Sequence, residues 1–94
     1  MPPQVLLDFQ DLLKNVSTGM VEQAQVEKGS RWIEQLAVEY PLAHRLLMMT
    51  LYGEPRDVMK TLGMIIPGLR EYRKNPHVLL YIEKLQAELR GKRK

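Results

Sequence analysis

The sequence predicts an all-α fold, a small bundle of about five to six helices. Apolar residues recur every three or four positions through most of the chain, and no segment alternates apolar and polar residues as a half-buried strand does. Most prolines and glycines lie between these stretches, where they begin and end helices. With 94 residues, 45% of them hydrophobic and 27% charged, the chain has the size and composition of one small globular domain.

The first helix is predicted by a wide apolar stripe that follows Pro2 and Pro3 and ends before Ser17-Thr18-Gly19. Such a stripe is broader than the thin core of so short a chain requires. We therefore expect the helix to form a protein interface through which the chain associates with itself as a dimer or larger oligomer. The interface residues expected here are Val5, Leu6, Phe9, Leu12 and Leu13.

The next stretch carries apolar residues at helical spacing from Met20 to Tyr40, and Gly29-Ser30 in its middle leaves open whether it forms one helix or two. Pro41 suits the first turn of a third helix, Leu42 to Tyr52, which Gly53 ends. The side chains expected to face inward from this helix are Leu42, Leu46, Leu47, Met49 and Leu51.

Three further helices are predicted after Gly53. A short fourth helix begins at Pro55 and ends at Gly63, and a fifth begins at Pro67. Asn75-Pro76 ends the fifth helix and begins the sixth, because Asn is a favoured N-cap and Pro a favoured first residue. The sixth helix has an apolar stripe of Val78, Ile82, Leu85 and Leu89, and Gly91 is expected to stop it.

Charge divides this single domain into two halves and a tail. The net charge is +3, but residues 1–41 carry three bases and six acids, whereas residues 42–94 carry eleven bases and five acids. We expect an acidic helical half (1–41) that oligomerises, a basic half (42–90) and a basic tail (91–94). A basic half attracts polyanions such as nucleic acid, although basic tails also serve only to keep a protein soluble.

Several function classes are not supported by the sequence. Without cysteine the chain has no disulfide, thiolate metal site or cysteine nucleophile. His44 and His77 have no neighbouring carboxylate motif, and no Gly-rich phosphate loop is present. We therefore expect no enzyme activity, no metal and no cofactor. Because no targeting or membrane-spanning stretch is visible, we also expect a cytoplasmic protein without membrane contact.

Residues 55–74 have the apolar spacing of a helix-turn-helix around Gly63. The positions that fit are Val58, Leu62, Met64, Leu69 and Tyr72. Residues 67–74 would then be a recognition helix whose Arg70, Arg73 and Lys74 share one face. Arg56 and Lys60 on the preceding helix are expected to bind phosphates, and the tail residues Lys92, Arg93 and Lys94 to add sequence-independent attraction to DNA.

The continuation Leu-Arg-Glu-Tyr-Arg-Lys-Asn-Pro, leading into an amphipathic helix, resembles the helix-turn-helix segments of phage terminase small subunits and related phage DNA-binding proteins. The similarity extends from Val58 to about Leu85. It implies an oligomeric protein of phage or mobile-element type that binds double-stranded DNA in packaging or regulation.

An alternative function follows from Ile65-Ile66 at the tip of the same motif. Exposed isoleucines bury naturally against another protein. On this interpretation the chain is a helical interaction module, such as a phage-type adaptor, inhibitor or assembly chaperone, and does not bind DNA. Ile65 and Ile66 then join the first helix as interface residues.

Overall fold

The computed structural model describes residues 3–19 and 21–92, and within them the chain forms five α-helices and one 3₁₀ turn without any strand. The helices are α1 (Gln4–Ser17), α2 (Gln23–Glu39), α3 (Pro41–Met48), α4 (Pro55–Ile65) and α5 (Pro76–Lys92), and the 3₁₀ turn is Arg70–Tyr72. The all-α prediction is confirmed. Pro2, Met20, Arg93 and Lys94, on which parts of the sequence analysis depend, lie outside the described residues.

The core lies between α1, α2 and α5 and is closed at one side by α4. Its aromatic centre is a stack of Phe9 on Trp32, with ring centroids 4.1 Å apart, and the Trp32 indole N–H donates to the Val5 carbonyl oxygen. Every interface residue that we expected on α1, from Val5 to Leu13, is at most 9% exposed. That expectation is corrected, because the faces of α2 and α5 cover the whole stripe and leave none of it for a partner.

Gly29 explains how α2 and α5 cross so closely. α2 is one continuous helix, and Gly29 is buried in its middle. A Cβ atom at Gly29 would lie 2.2 Å from the Tyr81 hydroxyl oxygen, which donates to the Gln25 carbonyl oxygen at 2.7 Å. Burial raises the pKa of the Tyr81 phenol. The glycine therefore makes room for a buried tyrosine and does not break the helix.

α3 is shorter than predicted and faces the other way. It ends at Met48, and although Leu47 and Leu51 are buried as expected, Leu42, Leu46 and Met49 are 74%, 48% and 77% exposed. The prediction for these three residues is wrong, because α3 has apolar stripes on two sides and packs against α2 and α4 through the Leu47 side.

The turn that follows α3 is held by a side chain from α5. The Gln86 amide nitrogen is a donor to the carbonyl oxygens of Thr50 and Leu51, both at 3.1 Å, and of Gly53 at 2.9 Å. Gln86 is 4% exposed, so its polar group is buried with its partners. This contact fixes the position of α3 relative to the core.

The predicted fifth helix is wrong, and with it the recognition helix. Gly68 has φ +85°, a left-handed conformation that interrupts any helix beginning at Pro67, and the segment contains one 3₁₀ turn instead. Ile66 and Leu69, each 1% exposed, anchor the segment in the core on either side of Gly68. The described chain therefore has no second helix of a helix-turn-helix between α4 and α5.

Asn75 caps α5 as predicted and also holds the end of α1. Its side-chain oxygen accepts from the backbone N–H groups of His77 at 2.9 Å and Val78 at 3.2 Å. Its amide nitrogen donates to the Ser17 carbonyl oxygen at 3.2 Å. One side chain thus satisfies backbone groups of two helix termini.

At its other end, α5 continues through Gly91 to Lys92, so the expected stop at Gly91 is wrong. The Lys92 ammonium donates to the Ser30 hydroxyl at 2.5 Å and lies 3.6 Å from the Glu34 carboxylate. These contacts with α2 extend the helix beyond the glycine. Of the predicted stripe, Val78, Ile82 and Leu85 are buried and Leu89 is half-buried, while Tyr81 beside it is buried as well.

Candidate nucleic-acid interface

One exposed face of α4 carries two bases and a methionine in register. Arg56, Lys60 and Met64 follow one another at intervals of four residues and are all exposed. Gly63 lies beside them, and a Cβ atom there would have nothing within 4 Å. This side of α4 is therefore open surface.

The segment after α4 brings three more bases to the same surface. Arg70, Arg73 and Lys74 are exposed on and just after the 3₁₀ turn. Two surface clefts join them to α4, and Arg70 and Arg73 line both. One cleft is lined by Met59, Lys60, Gly63, Met64, Arg70 and Arg73, and the other by Arg56, Arg70, Glu71, Arg73 and Lys74.

We call this surface the basic cleft, defined by Arg56, Lys60, Arg70, Arg73 and Lys74. The five bases predicted from the helix-turn-helix pattern thus do lie together, although a folded loop replaces the recognition helix that was expected to carry three of them. The path of the loop backbone, and not helical periodicity, determines the positions of Arg70, Arg73 and Lys74.

Positive charge prevails in the basic cleft. Arg56 pairs with Glu54 at 3.1 Å, both side chains being well exposed, so the pair is weak and easily exchanged. Lys60, Arg70, Arg73 and Lys74 form no ion pair with any described residue. Glu71 is the acidic residue that lines the cleft itself. Next to it, desolvation and then the Glu71 and Asp11 carboxylates raise the pKa of Tyr72.

Met64 is the residue of this surface that sequence reasoning misplaced. It was expected among the packed positions of a helix-turn-helix, but it is 76% exposed and lines the cleft. The sequence signal for this position is that Met64 follows Lys60 by four residues, which puts the two on the same face of α4. Leu69 is buried as predicted, while Tyr72 is half-buried.

The remaining predicted site residues lie elsewhere. Lys92 does not join the basic cleft, since it contacts Ser30 and Glu34 on α2. Ile66 is 1% exposed and Ile65 is half-buried against the core, so the expectation of an exposed isoleucine tip is corrected. The chain turns at Pro67-Gly68 and thereby directs Ile66 inward.

A second surface, which we call the α3 patch, consists of Leu42, Leu46 and Met49, which are 74%, 48% and 77% exposed. The three α3-side residues follow at i, i+4 and i+7, one face of a helix. Sequence reasoning assigned this face to the core, because periodicity does not decide which of two apolar stripes is buried.

The described residues contain no group of three or more His, Asp or Glu side chains placed to hold a metal ion. None of the helices in this part of the chain has the length and apolar character needed to cross a membrane. The molecule is thus, by its fold and surface, a small all-α bundle with a basic cleft and an exposed apolar patch. No protein-family model, curated protein or solved structure matches it.

Proposed function

We propose that this chain is a DNA-binding protein of phage or mobile-element type that holds the phosphate backbone of double-stranded DNA in the basic cleft. The observation that carries the proposal is the meeting of five exposed bases from two elements in adjoining clefts. Arginine and lysine neutralise phosphates and release the counterions condensed on DNA, which makes binding favourable without any sequence readout.

The proposed mode of binding differs from that of a helix-turn-helix. A recognition helix reads base edges in the major groove, whereas the 3₁₀ turn Arg70–Tyr72 is too short to do so. We therefore propose phosphate contacts as the main source of affinity, with weak discrimination between sequences. Whether the protein acts in DNA packaging or in regulation would then depend on where it is delivered. We propose that it acts in the cytoplasm, as a binding protein and not as an enzyme.

The test is a titration of a fluorescent random-sequence duplex at several salt concentrations. If all five bases contact phosphates, the slope of log affinity against log salt is about −4 to −5, since each contact contributes about −0.9. Changing Arg70, Arg73 and Lys74 together to Ala should reduce that slope by about 2 to 3.

A matched control removes the same charge elsewhere. Lys28, Arg31 and Lys84 are exposed and line neither part of the basic cleft. Their triple Ala variant should keep most of the slope. Equal losses from the two triple variants, or no duplex binding by the unaltered protein at low salt, would contradict the proposal.

The second candidate function is a helical protein-interaction module that does not bind DNA. The α3 patch favours it, since large apolar side chains there are exposed together. This second candidate would be favoured if the protein did not bind the duplex in the titration but did bind protein through the α3 patch.

A further inference from the structure

Gly63 is a helical glycine that the packing of the described chain does not require. It lies inside α4, two residues before the end of the helix at Ile65, where glycine is destabilising relative to alanine. Its φ is not positive, and a Cβ atom there would have nothing within 4 Å. Gly29 is different, because its missing side chain makes room for Tyr81. A reason for glycine at position 63 must therefore come from outside the fold.

The charges around Gly63 indicate what approaches it. We use the name Gly63 pocket for the part of the basic cleft that is lined by Met59, Lys60, Gly63, Met64, Arg70 and Arg73. This lining includes three bases and no acid, whereas the adjoining part of the cleft includes Glu71. The three bases form no ion pair with any described residue. They converge from α4 and from the loop after it, and together they favour an anion.

The end of α4 does not cancel this positive charge. The carbonyl groups at the end of a helix are equivalent to about half a negative charge. One of them, at Leu62, already accepts from the Ile66 backbone N–H at 2.7 Å. Three cationic side chains outweigh what remains, so the Gly63 pocket is net positive.

The size of the Gly63 pocket matches a single phosphate group. Its volume is about 170 Å³, or about six times the 30 Å³ that a water molecule occupies in the liquid. Pockets for drug-sized organic molecules begin at about 300 Å³. A phosphate group with its oxygens and part of its hydration matches the smaller volume, whereas a whole nucleotide needs more.

We propose that the Gly63 pocket is a phosphate subsite, in which one phosphate group lies directly against the α4 backbone at Gly63. Lys60, Arg70 and Arg73 bind its oxygens. Glycine serves wherever a ligand must approach a backbone closely, and a side chain at position 63 would hold the phosphate away from all three bases. The inference rests on the proposed function for the source of the phosphate, which is the DNA backbone. A free phosphate ion has the same chemistry.

Two open glycines provide a matched pair of variants for the test. Gly91, in the last turn of α5, also has nothing within 4 Å of a Cβ atom, and it does not line the basic cleft. Leucine is a good helix former, so Gly63→Leu and Gly91→Leu should both keep the circular dichroism spectrum of the unaltered chain. Gly63→Ala adds the smallest possible side chain and keeps the test independent of how well leucine is tolerated.

In the duplex titration, Gly63→Leu should weaken binding about tenfold or more, the effect of losing one charge-assisted contact. The slope of log affinity against log salt should fall by about 0.9, although no charge has been removed from the chain. Gly63→Ala should bind more weakly than the unaltered chain while being the more stable protein. Gly91→Leu should bind like the unaltered chain.

Two outcomes of this titration overturn the subsite and leave the DNA-binding proposal standing. One is duplex binding by both Gly63 variants that equals binding by the unaltered chain. The other is an equal loss in the two leucine variants, which would show that the effect is not local to the pocket.

If the unaltered chain does not bind the duplex, the DNA-binding proposal fails and inorganic phosphate tests the subsite by itself. The titration is followed by NMR of the backbone amides, with chloride at the same ionic strength as the reference. A saturable shift at Met64 and Arg70 that is lost in Gly63→Leu supports the subsite, with free phosphate as its source. Absence of a saturable shift overturns it.

Discussion

The three long helices and the segments between α2 and α5 bury their apolar residues in different ways. α1, α2 and α5 direct their widest apolar faces toward one another, and their contacts include an aromatic stack and a buried tyrosine hydrogen bond. α3 buries only Leu47, and the 3₁₀ turn is anchored by Leu69 just before it. α4 buries one side, with Val58, Met59 and Leu62, and leaves the other exposed. Their outer surfaces carry the exposed methionines and the basic cleft.

This difference separates what stabilises the molecule from what is available for binding. In the long helices most large apolar side chains are buried, so little of their surface offers recognition. In the shorter segments a few anchors hold the backbone, and the remaining side chains are free to contact partners. Loops and short elements on a stable scaffold are the usual carriers of binding residues.

The largest expected contrast comes from truncating one side chain in each region. Phe9→Ala should lower the free energy of unfolding by about 3 to 5 kcal/mol, because it leaves a cavity beside Trp32. Met49→Ala should change it by no more than about 0.5 kcal/mol, because the side chain is 77% exposed. Urea denaturation followed by circular dichroism measures both, and similar losses would erase the distinction between the regions.

Replacing two helical glycines with alanine should change the free energy of unfolding in opposite directions. Gly29→Ala should destabilise the protein by about 1 to 3 kcal/mol, because the new methyl group meets the Tyr81 hydroxyl. Gly63→Ala on the open face of α4 should stabilise it by about 0.5 to 1 kcal/mol, since alanine is the better helix former. Adding Tyr81→Phe to Gly29→Ala should restore part of the loss in a double-mutant cycle, whereas strict additivity would show that the two groups do not meet.

The Tyr81 phenol gives the core a pH dependence at high pH. Its pKa is raised by burial in the folded state, so above about pH 10 the unfolded chain loses the proton while the folded chain keeps it. Stability due to this group is therefore complete below pH 10 and declines above it by up to about 1.4 kcal/mol per pH unit. Tyr81→Phe should flatten the decline, measured by urea denaturation from pH 8 to 11, whereas Tyr52→Phe, at an exposed position, should leave it unchanged.

A further, local effect concerns the hydrogen bonds of Asn75, where the two regions join. Asn75→Ala should cost about 0.5 to 2 kcal/mol through loss of the α5 cap. Asn75→Asp keeps the accepting oxygen, whose negative charge suits the start of a helix, but replaces the donor to the Ser17 carbonyl with a second oxygen, so it separates the cap from the link to α1. Thermal unfolding of both variants provides the comparison, and an Asp variant as unstable as the Ala variant would show that capping contributes nothing.

Sequence periodicity predicted α1 and α5 well, because each has an apolar stripe and a clear start signal, but it left open whether the stretch that forms α2 is one helix or two. α1 and α5 begin where Pro3 and Asn75-Pro76 predict, and the α5 stripe is buried. Periodicity failed at α3, where two stripes compete and tertiary contacts decide which one is buried. It also failed at residues 67–74, where helical spacing is outweighed by the left-handed Gly68 and by the burial of Ile66 and Leu69.

The candidate site was only partly predictable for related reasons. The helix-turn-helix pattern identified the five bases of the basic cleft, and charge counting placed them in the basic half of the chain. Their arrangement depends on a loop whose path is set by contacts distant in sequence, such as the Gln10 amide donating to the Pro67 carbonyl at 3.4 Å. The hydrogen bonds of Gln86 across the α3 turn had no sequence signal, because an isolated glutamine in a helix is usually exposed.

For the proposed binding of DNA, the anchored loop after α4 has a consequence for entropy. Ile66, Leu69 and Asn75 fix its backbone before any ligand arrives, so folding has already removed the conformational freedom that a flexible basic tail would lose on binding. What remains to be ordered is mainly the side chains of Arg70, Arg73 and Lys74, at about 0.5 to 1.5 kcal/mol each. Their charges are thus presented to a polyanion in a preorganised array.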